Sequence, residues 1–411
     1  MIPLGIKERT EVFENVRKAV SKKIFAPSFD PKEWARLCET RREQILKADT
    51  VEEFEREVRE LLAQLKISHI TFFHSSLLKI PPQYAIGATF QHEQVNGAAH
   101  WMFQDVHEGS PPNQVGIQPG DLLLEIDGNP VSPPEQPAFR MGGFCEVGVE
   151  KLSGERTTVK LGVPLPSSKW HPIVRPRLVS WSKPQPGIGL LKVTGFPGQV
   201  GIDVAKEIDH GISELRGCDR LIIDLRGNPG GGAGGLRLMS YMTPGKIPVG
   251  YSVTQKRAAK GFKKEKLSRF GKIPSRKSAL YLLLLRYAFS DRSIVMVTEG
   301  LGPQPFHGRI VLLVNQHTAS AAETITGFAK ENKLATIVGT KTPGQVLGGT
   351  GFKMGNGFVL RIPVVTFHTW SGNTLEGKGV EPDHVVELSR DHLKQGRDGQ
   401  TDEALQVVGR L

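Results

Sequence analysis

The sequence predicts an α/β protein whose central layer is a largely parallel sheet. From about residue 185, short apolar segments that suit buried strands alternate with amphipathic segments that suit helices. The segments "IGLLKVTGF", "DRLIIDLRG" and "RIVLLVN" are almost continuously apolar, as expected for strands covered on both faces. A predicted helix over 321–333 separates "RIVLLVN" from the next apolar run, "ATIVG". This alternation is typical of parallel strands connected through helices.

The regions before residue 185 have a different pattern. The segments "DPKEWARLCETRREQILKA" and "TVEEFEREVRELLAQLK" carry apolar residues at helical spacing, with Asp30 and Thr50 as N-caps. Short β-rich runs with Pro and Gly clusters follow. We therefore predict an N-terminal helical region over 1–78, a β-rich domain over 79–165 and an α/β domain over 166–411.

The composition is that of an ordinary globular protein, with 38% hydrophobic and 23% charged residues in 411. The apolar run "ALYLLLL" is too short to span a bilayer. The first ten residues are charged and lack the apolar core of a signal peptide, so we expect a cytoplasmic protein, or an exported one whose leader has been trimmed. Three widely spaced cysteines show neither metal-ligand spacing nor a disulfide framework, and we expect no metal or cofactor.

The net charge of +11 is concentrated in one segment. Residues 256–277 hold ten Lys or Arg and one Glu, which leaves only +2 for the rest of the chain. This distribution argues against a general nucleic-acid-binding surface. The segment lies in an insert over 251–307, which continues into a predicted helix, "SALYLLLLRYAF". It suits a solvated loop, a lid, or a contact of 256–289 with an anionic surface or with another subunit of a homo-oligomer.

The glycine-rich segment "DLRGNPGGGAGG" (224–235) directly follows a predicted buried strand. Such loops often bind phosphate, but neither the dinucleotide-binding fingerprint nor the P-loop motif is present. The glycines could instead let backbone N–H groups approach a developing negative charge, as in an oxyanion hole. A flexible turn explains the residue types equally well.

A serine stands at the next strand-to-helix junction, in "NQHTASAAETITG". A nucleophile is often displayed at such a junction, where free N–H groups and the helix dipole stabilise negative charge. The alternative for Ser320 is a helix N-cap, because Glu323 follows it at the spacing of a capping box.

Together, "LIIDLRGNPGGG" and "VLLVNQHTASAAETITGFAKEN…ATIVGTKTPG" resemble the C-terminal processing, or tail-specific, serine peptidases. The stretch "GSPPNQVGIQPGDLLLEIDG" resembles their PDZ domain, and "LEGKGVEPD" resembles their C-terminal segment. The resemblance implies a crotonase/ClpP-like α/β catalytic core with an N-terminal helical region and an inserted PDZ-like domain. It implies Ser320 as the nucleophile and the backbone N–H groups of Gly230, Gly231 and Ala321 as the oxyanion hole.

In most of that family a lysine 25 residues after the serine is the general base, but Gln345 occupies the position here. An amide cannot accept the proton. The segment "FEREVRELLAQLKISHITFF" resembles the one that carries a histidine base in the tricorn-like branch. The resemblance therefore implies His69 as the base, with Ser68 and Glu376, in "GNTLEGKGVEPD", orienting and polarising its imidazole.

Other titratable groups near the serine are weaker candidates for the base. His317 lies three residues before Ser320 and is expected beside the site. Lys341 and Lys353 do not stand at the family's lysine position.

The resemblance also gives the β-rich domain a role. Ile86, Gly87 and Ala88, in "YAIGATF", match the loop of a PDZ domain that takes a peptide's C-terminal carboxylate by strand addition. This loop departs from the usual Gly-Leu-Gly-Phe type, so a structural spacer is the alternative.

The resemblance thus implies a hydrolase: a serine endopeptidase that cleaves polypeptides, recognised at their C-termini, through an acyl-enzyme. The alternative is a catalytically inactive member that binds peptides or lipophilic ligands. The interphotoreceptor retinoid-binding proteins, another branch of the family, carry such ligands, and Gln345 makes a loss of catalysis conceivable.

Overall fold

The computed structural model describes residues 2–76, 79–80, 82–163, 177–276 and 293–411. The predicted helix "SALYLLLLRYAF" lies outside these residues. The helices are α1 (Ile6–Lys23), α2 (Pro31–Lys47), α3 (Val51–Ala63), α4 (Pro82–Ala85), α5 (Pro111–Gln114), α6 (Ile202–Glu214), α7 (Gly235–Met242), α8 (Gln255–Lys260), α9 (Ala321–Glu331), α10 (Arg390–Lys394) and α11 (Gly399–Arg410).

The strands of the first half are β1 (Thr71–His74), β2 (Lys79–Ile80), β3 (Ala88–Val95), β4 (Ala98–Val106), β5 (Leu122–Ile126), β6 (Asn129–Pro130), β7 (Phe139–Arg140), β8 (Gly143–Glu150) and β9 (Arg156–Val163). Those of the second half are β10 (Val179–Gln185), β11 (Ile188–Val193), β12 (Arg220–Asp224), β13 (Pro248–Thr254), β14 (Ser268–Phe270), β15 (Ile294–Val297), β16 (Ile310–Val314), β17 (Thr336–Gly339), β18 (Gly348–Gly355), β19 (Phe358–Thr369) and β20 (His384–Val385).

The central sheet has the strand order β10-β11-β12-β16-β17-β20, and every neighbouring pair except β10 with β11 is parallel. One face is covered by α6, α7 and α9, and the other by α11. All five residues of β16 are buried because the sheet is covered on both faces. The predicted alternation of parallel strands and helices is confirmed, and the protein has a mixed α/β fold.

A second sheet carries the N-terminal helices. Its order is β1-β19-β13-β15-β14, and β18 pairs with β19 as well. The rings of Phe54 on α3, Phe72 on β1 and Phe358 on β19 lie within 6.2 Å of one another in the shared core. The predicted caps are present, since the Asp30 and Thr50 side chains accept backbone N–H groups of α2 and α3. This packing places the α3–β1 turn beside a segment almost three hundred residues later.

A third sheet, which we call the small sheet, has the order β3-β4-β5-β8-β9 with β6 paired to β5. It has its own core, including Phe103, Leu123 and Val147. The short strands β2 and β7 form a separate pair. The predicted domain limits at residues 78 and 165 remain predictions.

The basic segment is more regular than a loop over the described residues 256–276. It contains α8, a single 3-10 turn at Lys264–Lys266, and β14, which joins the second sheet in parallel with β15. Among the helices described, none is long and apolar enough to cross a membrane.

Candidate active site

Ser320 lies in a sharp turn between β16 and α9. Its backbone angles are φ 56° and ψ −116°, whereas a helix N-cap normally has extended angles. A left-handed φ is unfavourable for a side chain with a Cβ, and such strain is concentrated at functional sites. Capping alone does not explain this conformation. It is the geometry expected of a serine nucleophile displayed at a strand-to-helix turn.

Glu323, in the first turn of α9, does more than cap the helix. Its carboxylate accepts the Ser320 N–H at 3.2 Å, as in a capping box. It also accepts the Thr342 hydroxyl at 2.7 Å and the N–H groups of Gly344 and Gln345, each at 2.6 Å. The side chain of Glu323 is fully buried. This one carboxylate therefore joins the serine turn to the loop that follows β17.

The glycine-rich loop lies directly against the serine turn. A Cβ added at Gly230 would lie 2.6 Å from the Ala319 carbonyl oxygen and 2.6 Å from the Ala321 nitrogen. Only glycine allows this approach, and φ at Gly230 is 86°. The Gly230 N–H donates to Asn228 Oδ1 at 2.8 Å. The N–H groups of Gly231 and Ala321, by contrast, have no hydrogen-bond partner among the residues that the structure describes.

A buried ion pair fixes the start of this loop. The Arg226 guanidinium donates to both carboxylate oxygens of Asp224, at 3.0 and 2.9 Å. It also donates to Asp398 and Gln400 at the beginning of α11, at 2.8 and 3.0 Å. Burial alone would raise the pKa of Asp224, but the charges of Arg226 and Lys192 outweigh it and lower that pKa well below its usual range. Asp224 and Arg226 therefore hold the loop in place.

His69 occupies the turn between α3 and β1, also with a left-handed φ, of 59°. Its Nδ1 is 2.9 Å from Ser68 Oγ. Its Nε2 has no hydrogen-bond partner among the described residues. The ring is thus oriented through one nitrogen by a neighbouring hydroxyl, and the other nitrogen is available to accept a proton.

Glu376 lies at the same turn but contacts the backbone. Its two carboxylate oxygens accept the Ser68 N–H at 3.2 Å and the Val346 N–H at 3.0 Å. Burial lowers the pKa of His69 below its ordinary value, the Glu376 charge opposes this, and the Arg361 charge adds to it. Glu376 therefore positions the histidine turn and acts on the imidazole through its charge.

The loop between β17 and β18 lies between the serine turn and the histidine turn. Glu323 holds its residues Gly344 and Gln345 from the serine side, and Glu376 holds Val346 from the histidine side. Farther along, a Cβ added at Gly349 would lie 3.5 Å from the Cβ of His69. Ser320, His69, Ser68 and Glu376 are thus connected through one short loop.

The remaining predicted residues lie elsewhere. His317 Nε2 is 2.9 Å from the Phe90 carbonyl oxygen of β3, so its ring is turned towards the small sheet. The Ile86 and Ala88 side chains are fully buried, and the Ile86 N–H donates to the Pro82 carbonyl at 2.8 Å. The role of Ile86, Gly87 and Ala88 in carboxylate binding remains a prediction. No cluster of His, Cys, Asp or Glu that could hold a metal occurs in the described part of the chain.

Sequence comparison finds a family model that matches much of this arrangement. Residues 187–386, which contain the glycine-rich loop, the serine turn and Glu376, match the description "Peptidase family S41". This part of the chain is similar to peptidase family S41. The matched region excludes His69 and Ser68, which the N-terminal helices bring to it.

Curated proteins similar to this chain are named as processing proteases. The carboxyl-terminal-processing protease of Synechocystis sp. is 28% identical over 287 residues, covering 68% of this chain and 57% of that protein. The chloroplastic carboxyl-terminal-processing peptidase 2 of Arabidopsis thaliana is 24% identical, covering 68% of this chain and 48% of that protein. The chain thus spans about half the length of the curated relatives it matches.

Solved structures share the fold over nearly the whole chain. The photosystem II D1 C-terminal processing protease superposes with a TM-score of 0.55 at 18% identity, covering 94% of this chain and 96% of that one. Mature CPAF complexed with lactacystin gives a TM-score of 0.56 at 15% identity, covering 98% of each chain. At these identities the likeness concerns the fold alone.

Sequence reasoning misses several residues that support the site. The sequence indicates only a capping role for Glu323, and it does not single out Asn228, which holds Gly230. The available signal is local: Asn228 follows a buried strand by only four residues. In a parallel sheet, polar residues just beyond such strand ends gather at one edge.

Proposed function

We propose that the protein is a serine endopeptidase in which Ser320 is the nucleophile and His69 the general base. The observation that carries the proposal is the strained Ser320 turn, which packs against a glycine-rich loop whose Gly231 N–H has no partner among the described residues. The match of residues 187–386 to peptidase family S41 supports the same reaction class.

The His69 ring suits the role of a base at neutral pH. With its Nδ1 hydrogen bonded to Ser68 Oγ, its Nε2 accepts the Ser320 proton as the hydroxyl attacks a peptide carbonyl. The same nitrogen then donates this proton to the leaving amine. Water hydrolyses the acyl-enzyme in the reverse sequence of proton transfers. The carboxylate of Glu376 stabilises the imidazolium that forms in each step.

For the oxyanion we propose the N–H groups of Gly231 and Ala321. Both are free of hydrogen bonds to described residues, and the Ala321 N–H lies at the positive end of the α9 dipole. The Gly230 N–H is already bonded to Asn228, so Gly230 contributes the close approach of the two segments. Donors fixed before the reaction stabilise developing charge more than donors that must reorient.

Polypeptides are the proposed substrates, as the names of the curated relatives suggest. We propose that the core is crotonase/ClpP-like and that 79–165 is a PDZ-like domain that takes substrate C-termini along β3, the edge strand of the small sheet. If the small sheet binds substrate C-termini in this way, peptides with a free carboxylate should have a lower KM than the same peptides with a C-terminal amide.

The exposed cations of 256–276 would favour an anionic partner or a subunit contact.

Labelling with a fluorophosphonate tests the nucleophile and the base. Wild-type protein should be labelled and should degrade unfolded casein. The Ser320→Ala variant should lose both, and His69→Ala should lose turnover by several orders of magnitude. The matched variants Ser213→Ala and His384→Ala, which change an exposed serine and a surface histidine, should behave as wild type.

The alternative is an inactive binding protein, and Gln345 is the residue that favours it. Folded wild-type protein that neither reacts with the probe nor cleaves casein would support this alternative. Full turnover in His69→Ala would leave the peptidase in place but exclude His69 as its base.

A further inference from the structure

The side chain of Asn315 links the glycine-rich loop to the serine turn. Asn315 directly follows β16 and is fully buried. Its Oδ1 accepts the Gly227 N–H at 3.1 Å and the His317 N–H at 3.0 Å. Gly227 is the first glycine of the glycine-rich loop, and His317 lies three positions before Ser320. This amide oxygen thus joins the two segments that form the proposed oxyanion hole, in addition to the direct bond from the Ala319 N–H to the Asn228 carbonyl oxygen at 2.9 Å.

Asp105, from the small sheet, determines which way this amide faces. Asn315 Nδ2 donates to Asp105 Oδ2 at 2.8 Å. An ionised carboxylate only accepts hydrogen bonds, so it requires the NH₂ group on its side and leaves the oxygen for Gly227 and His317. Asp105 is 6% exposed, and it also accepts the Thr89 hydroxyl. Asp105 and Thr89 both lie outside the S41 region, which starts at residue 187.

Two residues at the end of β4, His107 and Asp105, also contact Gly227. His107, just after β4, has its Nε2 3.3 Å from the Gly227 carbonyl oxygen. Burial lowers the pKa of His107 to about 4, so the ring is neutral at pH 7 and donates through Nε2. A Cβ added at Gly227 would lie 2.9 Å from Asp105 Cγ. The end of β4 therefore packs directly on the backbone of the glycine-rich loop.

We propose that Asp105 is a positioning residue for catalysis: through Asn315 it holds the glycine-rich loop at the distance from the serine turn that the oxyanion hole requires. The proposal rests on the peptidase function proposed above. By this proposal the small sheet contributes to the chemical step, independently of any peptide that the sheet binds. Because a misplacement of about 1 Å in such a site costs about 10²-fold in rate, loss of this contact should act on kcat.

Asp105→Asn tests the proposal with little change of shape. Unlike the carboxylate, the amide can present either its oxygen or its NH₂ group to Asn315 Nδ2, so the side chain at position 105 no longer fixes the Asn315 amide. That amide can then rotate and lose its bonds to Gly227 and His317. We expect kcat for a fluorogenic peptide to fall at least ~10-fold while KM changes less than ~2-fold. Hydrogen exchange of the Gly227 amide, measured in a Ser320→Ala background, should accelerate at least ~10-fold.

Asp121→Asn is the matched control. Asp121, directly before β5, is also a buried aspartate, but its carboxylate binds Lys151 and backbone N–H groups in the connections of the small sheet. It should lower thermal stability without changing kcat or Gly227 exchange. An equal loss of kcat in both variants would show that Asp105 acts only by stabilising the small sheet, and it would overturn the proposal.

The exchanged pair Asp105→Asn with Asn315→Asp provides a rescue. The amide introduced at position 105 can donate to the carboxylate introduced at position 315, whose other oxygen still accepts the two backbone N–H groups. We expect the double variant to recover at least ~5-fold of the kcat lost in Asp105→Asn. Unchanged kcat and unchanged Gly227 exchange in folded Asp105→Asn, alongside an active wild type, would refute the positioning role alone. An inactive wild type would refute the proposed function, and the exchange measurement would still decide the position of Gly227.

Discussion

At the residue scale, the imidazole of His69 lies between two charges that shift its pKa in opposite directions. Burial lowers this pKa most, Glu376 raises it, and Arg361 lowers it further. A general base works in its neutral form, so kcat/KM should rise with pH through the His69 pKa, which lies below the ordinary value of about 6.5.

Two separate variants, each removing one of these charges, should move the acidic limb of the pH profile of kcat/KM in opposite directions. Glu376→Gln removes the negative charge, so the His69 pKa should fall and the limb should move to lower pH. Its plateau should also fall, because the amide cannot accept both the Ser68 and the Val346 N–H. Arg361→Gln should move the limb to higher pH, by less, since Arg361 is exposed and its charge is screened. The measurement is kcat/KM from about pH 4.5 to about pH 9, and shifts of the same sign in both variants would exclude His69 as the titrating group.

Also at the residue scale, Gln345 cannot simply be converted back to a lysine base. Its backbone N–H is held by Glu323, but the residue is exposed. An exposed lysine keeps a pKa near about 10.4 and is charged at neutral pH, so it cannot accept the Ser320 proton. We expect Gln345→Lys in a His69→Ala background to remain below about 1% of wild-type turnover. Recovery above that level at pH 8 would show that the loop desolvates the amine.

At the scale of elements, the close packing of the glycine-rich loop on the serine turn depends on Gly230. An alanine there would require a left-handed φ and would place its Cβ 2.6 Å from two backbone atoms. Gly198→Ala is the matched control, because φ is 79° but no atom lies within 4 Å of the added Cβ. Gly198→Ala should cost only about 1–2 kcal/mol of stability and retain activity. Gly230→Ala should lose at least ~100-fold in kcat, and wild-type kcat in this variant would contradict the packing described here.

The same scale shows what the sequence could predict. The strands β11, β12, β16 and β17 follow from apolar runs, and the helix α9 follows from its amphipathic period. The caps at Asp30 and Thr50 follow from local chemistry. The strands β13, β14 and β15 do not follow from such patterns. The serine turn is recognisable because its residues are contiguous. The four hydrogen bonds of Glu323 cannot be recognised from the sequence. Three of them reach a loop about twenty residues away, and the path of that loop depends on tertiary packing.

At the scale of the whole molecule, the site is assembled from separate cores. His69 comes with the N-terminal helices, Ser320 with the parallel sheet, and Asp105 with the small sheet. Ser320 is more than two hundred residues from both of the others, and no periodic or local pattern encodes such contacts. The family resemblance supplies the first two residues. The third can be found only from coordinates, because a single aspartate in a β-rich segment carries no distinguishing signal.

Arg226 joins the glycine-rich loop to the start of α11, so replacing it tests how the last helix supports the site. Arg226→Gln removes the guanidinium from the buried Asp224, which keeps the longer ion pair to Lys192 at 3.6 Å, and from the partly exposed Asp398. This should lower the free energy of unfolding at pH 7.5 by about 3–5 kcal/mol. In the wild type the depressed pKa of Asp224 contributes stability that is lost only as the pH falls through that low value. In the variant, Lys192 alone opposes the effect of burial, so the pKa of Asp224 should be higher than in the wild type and protonation on acidification should relieve the buried charge.

The stability difference between wild type and Arg226→Gln should therefore shrink between about pH 7.5 and about pH 4.5 in urea unfolding. Arg220→Gln, at the start of β12, removes a partly exposed ion pair to Asp219 and should cost less than about 1 kcal/mol at either pH. A difference for Arg226→Gln that stays constant or grows on acidification would mean that the buried carboxylates are not what the guanidinium stabilises. In that case the tie between the glycine-rich loop and α11 would depend on packing, and Arg226→Met should restore it.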